Sequence, residues 1–201
     1  MRKIAALIAL CLAAYLGGCA DDPALLGPAI KATFDEGLKA YDSGDYTTAY
    51  QKWKSLDGVD LAAMRNVGIM LRTGKGVAMD PAAAEAILGR AAEGGLFTAQ
   101  ADLGEMLLKG EAGPPEPKKA AGWLALAAQA GHPMAEYELG QLYEAGNGVP
   151  KNIETARALY KAAAEDGVAD ASARLAALPQ ELPPWVSAEP EPVSEHPATG
   201  H

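Results

Sequence analysis

Few residues in this chain have the types and spacing that chemistry requires. Arg72 to Asp80 reads RTGKGVAMD, and its Gly74-Lys75-Gly76 resembles a loop that cradles phosphate. Such a loop needs its lysine and a following serine or threonine to hold the metal that accompanies phosphate. Here Val77 follows Gly76, and the stretch recurs 72 residues later as EAGNGVPKN, with Asn147 in place of Lys75. An intervening copy, LKGEAGPPE, has alanine and glycine (Ala112 and Gly113) in place of Gly76 and Val77. The glycines therefore read as a turn between helices. Of the three histidines, His132 opens a repeat and His196 and His201 lie in the tail, so no histidine metal site is expected. The serines form neither Ser-x-x-Lys nor Gly-x-Ser-x-Gly. Aromatic residues are 6% of the chain, and Trp53, Trp123, Tyr143 and Tyr160 fall at core phases, so no stacking platform for sugars or bases emerges. No catalytic residue, metal site or cofactor is expected.

The cysteines belong to different chemistry. Arg2 and Lys3 precede an uncharged run, Ile4 to Gly18, shorter than the roughly 20 residues that span a bilayer. A basic start, a short apolar middle and small residues before a break read as a secretory signal peptide over 1–18. Leu16-Gly17-Gly18-Cys19 resembles the bacterial lipobox. That resemblance implies cleavage before Cys19 and acylation of its thiol; the alternative is an ordinary cleaved signal with a stray cysteine. Residues 19–30 are then the lipidated cysteine and a tether, whose 11 residues from Ala20 to Ile30 reach at most about 40 Å. Ala20 directly follows the cysteine and Asp21 comes second, which favours the outer membrane, facing the periplasm. With Cys11 leaving in the signal, no thiol remains for a disulfide, zinc or a nucleophile.

Charge narrows the partners further. Loss of Arg2 and Lys3 takes the formal charge from −9 to −11, which disfavours nucleic acid and anionic lipid. Residues 179–201 are proline-rich and acidic with almost no apolar side chains, so they are expected to be disordered. Trp185 is the one residue there able to anchor a partner.

The elements that position everything else come from a repeat. DLAAMRNVG at Asp60, LFTAQADLG at Leu96, HPMAEYELG at His132 and VADASARLA at Val168 start 36 residues apart. Gly68, Gly104 and Gly140 keep that phase, as do Gly95, Gly131 and Gly167. A fixed period of this length marks a solenoid. Within a unit the spacing is helical: Ala135, Leu139, Leu142 and Tyr143 form one stripe, and Ala156, Leu159, Tyr160 and Ala163 another. Asp80 and Asn152 are expected N-caps of second helices, Glu116 a weaker one. Gly95, Gly131 and Gly167 close those helices. Gly68, Gly104 and Gly140 lie inside the first helix, where each costs on the order of 1 kcal/mol against alanine. Their recurrence implies that a neighbouring helix comes close. Residues 31–59 form a shorter helix pair, split at Ser43-Gly44-Asp45.

The pattern A-x-x-x-L-G-x-L-Y-x-x-G-x-G-V, then A-x-x-L-Y-x-x-A-A-x-x-G, resembles the Sel1-like repeat, a relative of the tetratricopeptide repeat. Ala135 to Gly167 matches almost throughout. The unit 60–95 has Val67 for leucine and Leu71 for tyrosine, and the unit 96–131 carries EAGPPEP in the loop. The resemblance covers 60–178 in units 60–95, 96–131, 132–167 and a partial 168–178, with 31–59 a tetratricopeptide-like cap. It implies an all-α, right-handed superhelical solenoid of antiparallel helix pairs.

It also implies that the first helices line a concave groove. The positions beside the buried stripe there are Asn66, Ile69 and Arg72, then Asp102, Glu105 and Leu108, then Glu138, Gln141 and Glu144. They run from basic to acidic, a gradient that would orient a partner segment. The expected function is a non-catalytic scaffold, anchored to the membrane by lipid and holding protein partners in the bacterial envelope. Nucleic acid and small-molecule substrates are not expected. The alternative is a hydrolase of cell-wall or β-lactam substrates, as in cysteine-rich secreted Sel1-like proteins. Those carry a disulfide in each repeat, which this mature chain cannot form.

Overall fold

The computed structural model describes residues 23–179, with side chains from residue 27 onward. The signal peptide, Cys19 and residues 180–201 lie outside the described residues. Those described form helices joined by short turns: α1 (Pro23–Asp42), α2 (Tyr46–Ser55), α3 (Leu61–Thr73), α4 (Pro81–Glu93), α5 (Phe97–Lys109), α6 (Pro117–Gln129), α7 (Pro133–Ala145), α8 (Ile153–Glu165) and α9 (Ala169–Ala177). Consecutive helices pack antiparallel, and the pairs stack into the expected all-α superhelical solenoid. No described helix is long and apolar enough to cross a membrane. Helix α1 begins eight residues earlier than the pair at 31–59 expected from sequence. Proline at the first helical position is already set for the helix. Helical rise brings the reach of residues 23–30 down to about 12 Å.

Local chemistry sets the helix ends. Asp80 and Asn152 accept from the Ala83 and Thr155 amides at 3.0 Å, while Glu116 makes no such bond. Asp45 and Asp60 cap α2 and α3 in the same way. Gly95, Gly131 and Gly167 follow α4, α6 and α8 with positive φ.

The glycines inside the first helices face specific partners. A Cβ on Gly68 would lie 2.6 Å from Leu88 Cγ, one on Gly104 2.7 Å from Leu124 Cγ, and one on Gly140 2.7 Å from Tyr160 Cε1. Leu88, Leu124 and Tyr160 are completely buried and share the 36-residue phase. Each pair of helices therefore locks by setting one large residue into the gap left by a glycine. The N-terminal pair does the same with Gly37 and Trp53, whose indole N–H donates to Phe34 O at 3.2 Å.

The glycine-rich loops close one unit on the one before. A Cβ on Gly76 would fall 2.5 Å from Tyr46 O, and one on Gly148 2.6 Å from Pro117 O. Each loop thus presses on the start of the preceding second helix. Lys75 completes the first of these contacts. Its ammonium lies 4.3 Å from the Tyr41 ring centre and 4.1 Å from that of Tyr46, and donates to Tyr41 Oη at 2.8 Å. An ammonium over ring faces is held by the ring quadrupole. The lysine that looked like a phosphate ligand holds the N-terminal pair to the first repeat.

Candidate protein-interaction face

Helices α3, α5, α7 and α9 form one side of the array. Among the described residues, α5 and α7 are the non-consecutive helices in closest contact. This is the side that the repeat pattern leads one to expect as the inner face. Asn66, Ile69, Arg72, Asp102, Glu105, Leu108, Glu138, Gln141 and Glu144 are all half-buried. Their common phase brings all nine expected residues onto that face.

Their charges behave differently from the expected gradient. Arg72 is not a free basic end: its Nη1 donates to Glu105 Oε2 at 2.7 Å, and Nε and Nη2 donate to both oxygens of Glu111, at 2.6 and 2.5 Å. Bonding to Glu111, then to Glu105, holds the guanidinium more firmly charged despite its burial. Burial raises the Glu105 pKa, but Arg72 and Lys109 outweigh it and keep its carboxyl below the usual range. Asp102 is also engaged: Arg65 donates to it through Nε at 2.5 Å and Nη2 at 3.3 Å. The gradient is therefore cancelled by pairing across the first two repeats.

At the other end, Glu144 accepts from Tyr160 Oη at 2.6 Å and lies 3.5 Å from Arg174 Nη1. Gln141 donates to Tyr137 Oη at 2.9 Å. Glu138 makes no ion pair among the described residues, and burial, then the charges of Glu105 and Asp102, push its carboxyl up to about 7. His132 caps α7, its Nδ1 accepting from the Ala135 amide at 3.3 Å, with its ring edge-on to Phe97. Burial lowers its pKa, in keeping with a neutral ring acting as acceptor.

Arg65, Lys109, Glu111 and Arg174 complete this network and are absent from the set expected from sequence. Arg174 had a usable signal, since it stands 36 residues after Glu138 in the partial fourth unit. Glu111 had none, because it sits in the loop where the second unit departs from the pattern. Among the described residues no group of three histidine, cysteine, aspartate or glutamate side chains could hold a metal ion.

Comparison with known proteins gives a family match and several similar structures. A family model described as the Sel1 repeat matches residues 61–96, 98–132 and 133–168. A protective antigen of uropathogenic Escherichia coli displaying an SLR fold is 32% identical, with a TM-score of 0.69 over 74% of this chain. A Sel1 repeat protein from Oxalobacter formigenes is 31% identical, with a TM-score of 0.65 over 71% of this chain. This chain spans 33% of the first and 58% of the second. The cysteine-rich protein B of Helicobacter pylori shares the fold at 21% identity and a TM-score of 0.51, covering 63% of this chain and 96% of its own. No curated protein matches the chain.

Proposed function

This chain belongs to the Sel1 repeat family, and on that premise we propose that it is a non-catalytic scaffold. It is tethered by lipid on Cys19 to the bacterial envelope, at the outer membrane facing the periplasm, and holds partner proteins on its inner face. One observation carries the binding reading: nine half-buried residues of one phase form a continuous face along α3, α5 and α7. Most of the charges on that face are already paired within the chain, so long-range attraction is a small part of recognition. Asn66, Ile69, Leu108 and Gln141 are left to read the shape and hydrogen bonding of a helical or extended segment.

The test is affinity capture from its own cells with the lipidated protein, beside Asn66→Arg and Leu108→Arg variants whose helicity is unchanged. One envelope complex should co-purify with the wild type and be lost with both variants. Equal capture by all three would remove the face from the reading. Turnover of a muropeptide or a β-lactam by the purified protein would replace the scaffold with the hydrolase. The anchor has a separate readout: Cys19→Ala should leave the membrane fraction, and unchanged fractionation would refute lipidation.

A further inference from the structure

Successive repeats are joined unevenly. Arg65 and Arg72 bridge the first repeat to Asp102, Glu105 and Glu111 in the second. Arg174 in the partial fourth repeat lies near Glu144 in the third. Among the described residues no ion pair crosses between the second repeat and the third. The third repeat instead brings two carboxyl groups without cationic partners, Glu136 and Glu138, to opposite sides of α7.

Glu136 is 8% exposed, and its Oε2 is fully buried without a hydrogen-bond partner. The second repeat shows what the position is built for. Gln100 stands 36 residues earlier, equally buried, and its Nε2 donates to Ala92 O at 3.1 Å near the end of α4. Ala128 is the counterpart of Ala92, near the end of α6. The local backbone repeats as well, with Gly131 N donating to Ala128 O at 2.9 Å as Gly95 N donates to Ala92 O at 3.0 Å.

An ionised carboxylate can only accept, whereas the protonated acid has a donor to replace that of glutamine. A buried carboxylate opposite a carbonyl oxygen loses its hydration and gains nothing in return. We propose that the joint between the second and third repeats is a proton-dependent lock. Protonated Glu136 donates to Ala128 O and ties α7 to the end of α6; loss of that proton loosens the joint and alters the spacing of α5 and α7 on the inner face.

The surrounding charges act in the same direction. Burial, then the carboxylate of Asp166 at the end of α8, raise the Glu136 pKa. Across α7, burial, then the charges of Glu105 and Asp102, raise the Glu138 pKa against the opposing charges of Lys109 and Arg72. A carboxyl raised in the folded state binds its proton more tightly there than in the unfolded chain. Its stabilising effect is complete below the unfolded value of 4.5 and is lost as pH rises through the folded value. His132 shifts the opposite way and stays constant in the comparison below.

The test uses the full chain and Glu136→Gln, which installs the Gln100 chemistry and leaves Glu138 and His132 in place. Urea unfolding between pH 5 and 8 should show the wild type losing stability relative to the variant. The unfolding constant should change by about tenfold for each unit of pKa displacement. The carbon-13 signal of the Glu136 carboxyl should titrate above the unfolded value of 4.5. Amide exchange in the first turn of α7 should rise with pH more steeply in the wild type than in the variant. Parallel pH profiles, or a Glu136 carboxyl that titrates at 4.5 or below, would overturn the lock. Glu138→Gln separates the second carboxyl: a profile difference that vanishes with Glu138→Gln but persists with Glu136→Gln would move the effect to the inner face and refute it.

Discussion

The same substitution, glycine to alanine inside a helix, should have opposite signs at different sites in this array. At Gly140 the added Cβ would lie 2.7 and 2.8 Å from Tyr160 Cε1 and Cδ1. Comfortable carbon contacts are about 3.5–4.0 Å, so the overlap is near 1 Å. Tyr160 cannot readily swing away, because it is completely buried and its hydroxyl is held by Glu144 at 2.6 Å. Overpacking of this kind costs about 1–3 kcal/mol, and alanine's helical preference returns about 1. With the ring unable to yield, the cost belongs at the upper end of that range, so Gly140→Ala should lose about 1–2 kcal/mol. Gly122, within α6, has nothing within 4 Å of its virtual Cβ, as does Gly89 within α4. Alanine at either should gain up to about 1 kcal/mol. Urea unfolding with an unchanged slope reads both signs as shifts of the midpoint. A Gly140→Ala protein as stable as the wild type, or a Gly122→Ala protein that falls by a similar amount, would refute glycine-gap packing as the reason for the conserved phase within this chain.

Other perturbations follow the same logic. Gly148→Ala combines a positive φ with a Cβ 2.6 Å from Pro117 O and 2.7 Å from Lys118 N; thermal or urea unfolding should show a loss above about 2 kcal/mol. Arg72→Met leaves Glu111 without its cation and Glu105 with Lys109 alone, and should cost about 2 kcal/mol at pH 7. Because the Glu105 carboxyl is held low in the fold, that contribution is present above 4.5 and is lost as pH falls through its folded value, so wild type and variant should converge in acid. Glu116→Asp supplies the missing N-cap of α6 and should raise the urea midpoint by an amount equivalent to about 0.5–1 kcal/mol.

By itself the sequence determined the period, the helix pairs and their caps, because these depend on residues only a few positions apart. Asp80 caps α4 through an amide three residues on, and Gly131 turns the chain after α6 through its own backbone. The recurrence of Gly68, Gly104 and Gly140 was enough to require a close neighbour, though not to say that Leu88, Leu124 and Tyr160 fill the gaps. The shared helix phase of the nine expected residues was legible too, and all nine are half-buried. Their electrostatics were not. Arg72 meets Glu105 and Glu111 from 33 and 39 residues away, and helix stacking alone brings those groups within hydrogen-bonding distance. Lys75, the residue in the chain most suggestive of a phosphate ligand, depended on tertiary structure in the same way. Its partners Tyr41 and Tyr46 belong to the preceding helix pair, and only stacking of that pair on the first repeat converts the lysine into a clasp between the two.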